Sequence, residues 1–348
     1  MNMTSLARQR GLSLIELMIA LLLSAMLLWG VLQIFDSNRN TMQMQTAFAR
    51  TQESGRFAMD LLTKEIRMAD YWGCVPEESA IKNHLDPADT DYNKAQDLYD
   101  DIGSDGVLGT DNSSSLTVGT MAVLDGTDTL TLRGADDACA GTGRMVPSLT
   151  AAALHVSQNC QVEEGEIILL TNCQSGELMT VTNLQQGNGG DSDKRTVVHN
   201  TGNNSTPGWV DNKTKDLQRQ YGADARILKP YDRTYFIADG PAGPALYVAD
   251  TGGDAVELVP GVEDMQILYG RDTDGDDVVD GWTQASANAA DMEEAIAIKI
   301  QLVVASDSGV SAQDLTVTDL DGVDTTYADG KLRKVYLSTA KVRNRGRL

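Results

Sequence analysis

Glu16 stands at the head of a run, Leu17 to Phe35, that carries no further charge. A carboxylate among membrane-length apolar residues is costly to desolvate and is kept where a cation neutralises it. A second concentration of chemistry is Asp272-Thr-Asp274-Gly-Asp276-Asp277-Val278-Val279-Asp280. Carboxylates at relative positions 1, 3, 5 and 9, with the Val278 carbonyl at position 7, follow the order in which a calcium loop presents its oxygen ligands. Two departures weaken the match: position 6 is Asp277, with Gly275 one residue early, and position 12 is Thr283 where a bidentate Glu belongs. Asp291 or Glu293 would have to complete the shell, and a solvated acidic hairpin is the competing reading. The shorter Asp319-Leu-Asp321-Gly-Val-Asp324 reads as a solvated loop.

Enzyme signatures are absent. His84, His155 and His199 are isolated in sequence, with no His-Glu-x-x-His, no Gly-x-Ser-x-Gly and no phosphate-cradling Gly-rich loop. A non-enzymatic protein is expected. The formal net charge of −22 argues against direct nucleic-acid binding, because phosphate repels such a chain. Four cysteines, Cys74, Cys139, Cys160 and Cys173, permit three pairings. Cys160 and Cys173 flank Gly165 and the strand-like Glu166–Thr171, so a hairpin would join them and leave Cys74 with Cys139. No Cys/His cluster suits zinc. The basic tail from Lys331 to Arg347 stands out, and alternation around Leu332, Val335, Leu337 and Val342 points to a charge-guarded edge strand.

These residues need elements to position them. Leu17–Phe35 is long enough to cross a bilayer at about 20 residues per span. Arg8 and Arg10 precede it, so the N-terminus is expected on the cytoplasmic side and everything after Asp36 outside the inner membrane. Beyond the span the helical period continues through Met44, Phe48, Gly55, Met59, Leu62, Ile66 and Ala69. No proline occurs before Pro76. One helix is therefore expected from Leu12 to Ala69, on the order of 85 Å long. From Tyr71 onward the pattern is short β-like runs: Thr129–Arg133, Glu166–Thr171, Leu178–Thr182, Thr234–Ala238, Leu246–Ala249, Met265–Tyr269 and Ala295–Ala305. The fold class expected is α+β, a lollipop with one long N-terminal helix packed on an antiparallel sheet domain. Residues 185–217 are polar and rich in Gly and Asn, and composition alone makes them a mobile insert.

Residues 8–16, Arg-Gln-Arg-Gly-Leu-Ser-Leu-Ile-Glu, resemble the class III leader of type IV prepilins. In that family a prepilin peptidase cuts after the Gly and methylates the new amine. The resemblance implies a leader over 1–11, cleavage after Gly11, an N-methylated Leu12 where Phe is usual, and Glu16 facing the amine of a neighbouring subunit. Val256–Tyr269 followed by Gly270 is similar to a stretch of PilW-type minor pilins, which also occurs in minor pseudopilins of type II secretion. Tyr71-Trp72-Gly73-Cys74 and Leu332–Arg345 resemble the family's Gly-Cys after the helix and its terminal strand. The division implied is a filament-core half of the helix over 12–35, an amphipathic half over 36–70 and a head over 71–348. The expected function is a minor pilin that helps initiate type IV pilus assembly, supporting motility, adhesion or DNA uptake. Its partners would be other minor and major pilins, the prepilin peptidase, the inner-membrane assembly platform and a tip adhesin. A type II secretion pseudopilin and a membrane-anchored calcium-binding adhesin are the alternatives.

Overall fold

A computed structural model describes residues 13–345 apart from 74, 76–79, 93–105, 140–152, 187–193, 202–205, 207, 251–252, 287–288 and 311–313. Gly11, Leu12 and Cys74 lie outside the described residues. Helix α1 (Leu14–Met68) is 55 residues long, about 80 Å at 1.5 Å per residue. Its buried residues begin only at Thr51 and continue as Gly55, Ala58, Met59, Leu62 and Ile66. The apolar stripe seen in sequence thus runs off the head at its lower end, where Met44 and Phe48 are exposed. The helix stops at Ala69, whose backbone turns extended, and Asp70 follows at φ 62°.

The head is built of strands β1 (Ile81–Asn83), β2 (Val107–Thr110), β3 (Thr117–Val118), β4 (Met121–Ala122), β5 (Thr129–Asp137), β6 (Ala153–Ser157), β7 (Ile167–Thr171), β8 (Gly176–Thr180), β9 (Asn183–Gln186) and β10 (Lys194–Val198). They continue with β11 (Arg226–Gly240), β12 (Gly243–Asp250), β13 (Val256–Pro260), β14 (Val262–Arg271) and β15 (Gly281–Thr283). After the short helix α2 (Ala289–Glu293) come β16 (Ala295–Gly309), β17 (Leu315–Thr318), β18 (Asp324–Tyr327) and β19 (Lys331–Lys341). The first large sheet runs β1-β8-β7-β11-β12-β13, with β5 and β2 continuing beside β11. The second runs β15-β14-β16-β19. Among the described residues, the pairings in these two sheets are antiparallel except β1 with β8.

Gly261 lets the chain leave one sheet for the other. It sits at φ 81° between β13 and β14, and a Cβ there would meet the Ala305 carbonyl oxygen at 2.8 Å. Both sheets then seat the helix. Ala58, Met59, Leu62, Ile66 and Ala69 pack with Leu130, Leu132, Ile237 and Leu246 of the first sheet and with Met265, Ile298, Ile300 and Leu302 of the second. Each fully buried Leu or Ile there contributes about 1.5–3 kcal/mol.

A separate core, with Leu154, Val156, Ile168, Met179, Val197 and Ile227, lies under β6, β7, β8 and β10. It corrects the expected disulfides. Gln161 donates its amide to the Ala138 carbonyl at 2.7 Å, which sets Cys139 beside Cys160, and these two are bonded. Neither Cys160–Cys173 nor Cys74–Cys139 forms. Cys173 instead occupies the tight turn between β7 and β8 at φ 65°, and it too is in a disulfide. Composition pointed to mobility over 185–217, yet Lys194–Val198 is a strand and Val197, His199, Val210 and Asn212 are buried. The polar side chains there are satisfied individually: Asn212 accepts from the Thr180 amide at 2.8 Å and donates to its carbonyl at 2.7 Å.

Candidate functional site

The long helix and its seat are the feature that function must use. At its start, Ser13 is the N-cap: its hydroxyl accepts from the Glu16 amide, and the Glu16 carboxylate accepts from the Ser13 amide, each at 3.2 Å. This reciprocal capping box satisfies two orphan donors of the first turn and places a negative charge at the positive end of the helix dipole. The Ser-x-x-Glu spacing of this box is present in the sequence as Ser13-Leu-Ile-Glu16. Glu16 therefore occupies a helix end, exposed, with its carboxylate bonded to the Ser13 amide. None of the most apolar 18-residue stretch of α1 is buried against the head. A surface so apolar, left open over the first half of the helix, needs lipid or other protein around it.

The other end of α1 is fastened by the C-terminal segment. Arg345 donates from Nε to Asp70 Oδ2 at 2.6 Å, and both side chains are almost wholly enclosed. Its Nη1 also donates to the carbonyls of Met292 and Ala295. Asn344 reaches the Ala69 carbonyl at 2.8 Å, capping the helix with an amide. The sequence suggested that the basic tail guards an edge strand, and β19 is indeed the outer strand of its sheet. Its cations are largely engaged, however. Glu263 holds Lys331 at 3.1 Å and Arg333 at 2.6 Å, and Asp329 holds Arg333 at 2.6 Å. Those bonds from Arg333, with the Lys331 amide, pull the Asp329 carboxyl well below its usual range.

The Asp272 loop comes together as its spacing suggested. Asp272, Asp274 and Asp276 each offer a carboxylate oxygen within 4.8 Å of the others. Burial works to raise Asp272, but amide bonds from Asp277, Gly275 and Asp276 outweigh it and leave the group lowered. Asp274 is raised by the charges of Asp276 and Asp280. Asp280 turns to Thr273, accepting from its amide at 2.8 Å and its hydroxyl at 2.6 Å. Val278 donates its amide to Asp276 at 2.9 Å. Asp291 does not join the loop: Arg271 bonds it at 2.9 Å and Glu294 at 2.6 Å. Three carboxylates therefore face one another as a candidate set of hard oxygen donors.

His84 is isolated in the sequence, but the fold brings it partners from distant segments. Its Nε2 lies 2.5 Å from Glu177 Oε2, and its Nδ1 lies 2.9 Å from the Thr214 carbonyl. Tyr221 donates to Glu177 at 3.1 Å and meets Ser175 at 2.9 Å. All four side chains are buried, so the network is a clasp joining β8 to residues 212–221.

Residues 234–344 match the family model for type IV pilus-assembly protein W. Residues 6–32 match the prokaryotic N-terminal methylation motif. No curated protein and no solved structure matches the chain significantly. The first match covers β12, β13, β14, β16 and β19, which seat α1 together with β5, and ends at Asn344, one residue short of Arg345; the second covers Glu16 and its cap. With a long apolar helix, a sheet-rich head and these two matches, the chain is similar to PilW-type, prepilin-type pilins of the type IV pilus.

Proposed function

We propose that the protein is a minor pilin that joins other pilins to initiate type IV pilus assembly. The observation that carries this is the division of α1: an open apolar half headed by Glu16, continuous with a half locked into the head. In the membrane, lipid covers Leu17–Phe35; in a filament, neighbouring helices replace it. Cleavage after Gly11 creates an amine at Leu12, and Glu16 of one subunit neutralises the amine of the next. The Ser13–Glu16 contact supports this step, because it keeps the carboxylate at the end of the helix that carries the amine. The N-terminus is cytoplasmic and the head periplasmic until extraction. The prepilin peptidase, the assembly platform, major pilins and a tip adhesin are the partners this role requires.

The test is mass spectrometry of the mature N-terminus, with complementation of a deletion strain by Glu16→Ala. The expected results are a chain beginning at methylated Leu12 and loss of surface pili in the variant. Retention of residues 1–11 beside an active peptidase, or normal piliation by the variant, overturns the role. Restored secretion with no change in piliation would assign the protein to type II export instead.

The facing carboxylates of Asp272, Asp274 and Asp276 favour a second property, calcium binding by that loop, with Asp280 and the Val278 carbonyl as further ligands. Calorimetry of the full chain in detergent tests it, using Asp272→Ala and Asp274→Ala as controls. An unmutated protein that gives no heat rules it out.

A further inference from the structure

Among the described residues the second sheet ends in β15 on one side and β19 on the other, and the two edges are unlike. β19 is 11 residues long and carries no charge between Lys334 and Lys341. Within that stretch Val335 and Leu337 are 40% and 62% exposed. A long strand edge with apolar side chains in solvent is a template for another strand. β15 is short, Gly281–Thr283, and brings Trp282, which is 36% exposed. The Lys299 ammonium lies 4.1 Å from the centre of the Trp282 ring. Lys299 pairs with Thr339, so Trp282 shares with Thr339 and Lys341 the face of the sheet turned away from α1.

The edges also differ in charge. Lys341 and Arg343 are exposed at the far end of β19 and form no ion pair among the described residues. Just before β15 comes the Asp272 loop, where Asp272, Asp274 and Asp276 face one another and Asp280 adjoins Gly281. None of these four acids is paired with a lysine or arginine among the described residues. Within the sheet, Trp282 pairs with Gly270, Gly270 with Ala297, and Ala297 with Lys341. A second copy that continues this row sets its Trp282 next to Lys341 and its acidic loop next to Arg343. Every step of the row is antiparallel, so β15 and β19 run in opposite directions and the new pair is antiparallel too.

Pairing β19 with itself fits less well. β19 climbs along α1: Lys334 lies 5.8 Å from the Phe48 ring, Tyr336 reaches Thr51 and Asn344 reaches Ala69. Two antiparallel β19 strands would point their helices in opposite directions. Two parallel ones would set Lys334 against Lys334 and Lys341 against Lys341, and like charges across a strand pair repel.

We propose that β19 of one copy pairs with β15 of a second copy, joining the heads edge to edge, with Lys341 and Arg343 set against Trp282 and the Asp272 loop. The inference rests on the pilin reading, which holds both chains in one bilayer the same way up. The contact uses different surfaces on the two copies, so it does not close on itself and each added head presents a fresh β19 edge. Opposite charges at the two edges steer the encounter and fix its register. The open apolar halves of α1 are thereby gathered side by side in the membrane before extraction.

The experiment mixes two full-length variants in detergent with chelator, Thr339→Cys and Gln284→Cys, under mild oxidation. Both positions are exposed and fall level across the new pair, beside Lys341 and Trp282 but outside the charged contact. The native chain has no free cysteine to compete. The mixture is expected to form disulfide-linked dimers, and either variant alone to form few. Adding Lys341→Gln and Arg343→Gln to the first variant should lower the yield at least about fivefold, with melting unchanged because both side chains are exposed. Salt at about 0.5 M should lower it in the same sense. No excess of dimer in the mixture, a yield indifferent to Lys341 and Arg343, or linkage in cells only to a different pilin overturns the proposal. Neither cysteine position touches the leader or Glu16, so N-terminal processing and piliation report on the pilin role separately.

Discussion

The ring of Tyr336 lies against the backbone of Gly55, filling the place where any other residue of α1 would carry its Cβ. Its hydroxyl donates to the Thr51 carbonyl at 3.1 Å, one turn earlier. A glycine in mid-helix costs roughly 1 kcal/mol relative to alanine by propensity, so this position is retained for the contact. Gly55→Ala is therefore expected to destabilise the head–helix junction by about 1–3 kcal/mol, against the gain that propensity alone predicts. Denaturant midpoints followed by tryptophan fluorescence check it. The double variant Gly55→Ala/Tyr336→Ala should recover part of the loss, because the ring that the methyl displaces is gone.

At the far end of the helix, the pair Asp70–Arg345 is enclosed, with side chains 7% and 6% exposed. Removing one partner leaves a charge with nothing opposite it. Arg345→Ala is expected to cost about 3–5 kcal/mol, more than an exposed pair such as Arg50–Asp307, which contributes at most about 1 kcal/mol. Arg50 and Asp307 are each 69% exposed. Comparing thermal melts of Arg345→Ala and Arg50→Ala separates the two cases, and equal shifts would show that the clasp does not bear on stability.

The helix, the part of its apolar stripe from Gly55 onward and the seven strands named from the sequence were legible, because a 3.6-residue or two-residue period survives in the chain whatever lies around it. The methylation motif around Glu16 was legible for the same reason of spacing. Contacts between distant segments were not. Cys139 meets Cys160 because Gln161, four residues past β6, donates its amide to the carbonyl of Ala138, the residue after β5, and no spacing in the sequence encodes that. His84 and Glu177 are separated by 93 positions, so a buried clasp looked like an isolated histidine. The polar stretch containing Asn212 looked mobile, since composition counts apolar area and ignores side-chain amides that bond the backbone in both directions.

The Asp272 loop predicts a specific order of effects. Asp272 already accepts three amides of its own turn, at 2.7, 3.2 and 2.8 Å, so it shapes the loop as well as facing Asp274 and Asp276. Asp274→Asn should relieve the repulsion from Asp276 and Asp280, and leave the loop's hydrogen-exchange protection intact without calcium. Asp272→Ala should lower that protection in chelator. If both variants exchange alike in chelator, Asp272 has no role in setting the turn.

Asp128 gives the head a dependence on pH whose sign is fixed. Burial raises its carboxyl from 3.8 to about 7, against the amide bonds of Asn112 and Ile267 and with the help of the Asp111 and Asp321 charges. The native state then holds the proton more tightly than the unfolded chain. The stability this group contributes is complete below its unfolded value and is lost as pH rises through about 7. Asp111 and Asp264 are raised as well and act in the same direction. Lowering pH from about 8 to about 5 in chelator should therefore raise the unfolding midpoint. Asp128→Asn should flatten that slope while lowering stability, because an amide oxygen cannot serve both backbone donors as the carboxylate does. A slope unchanged by the substitution assigns the effect to other groups.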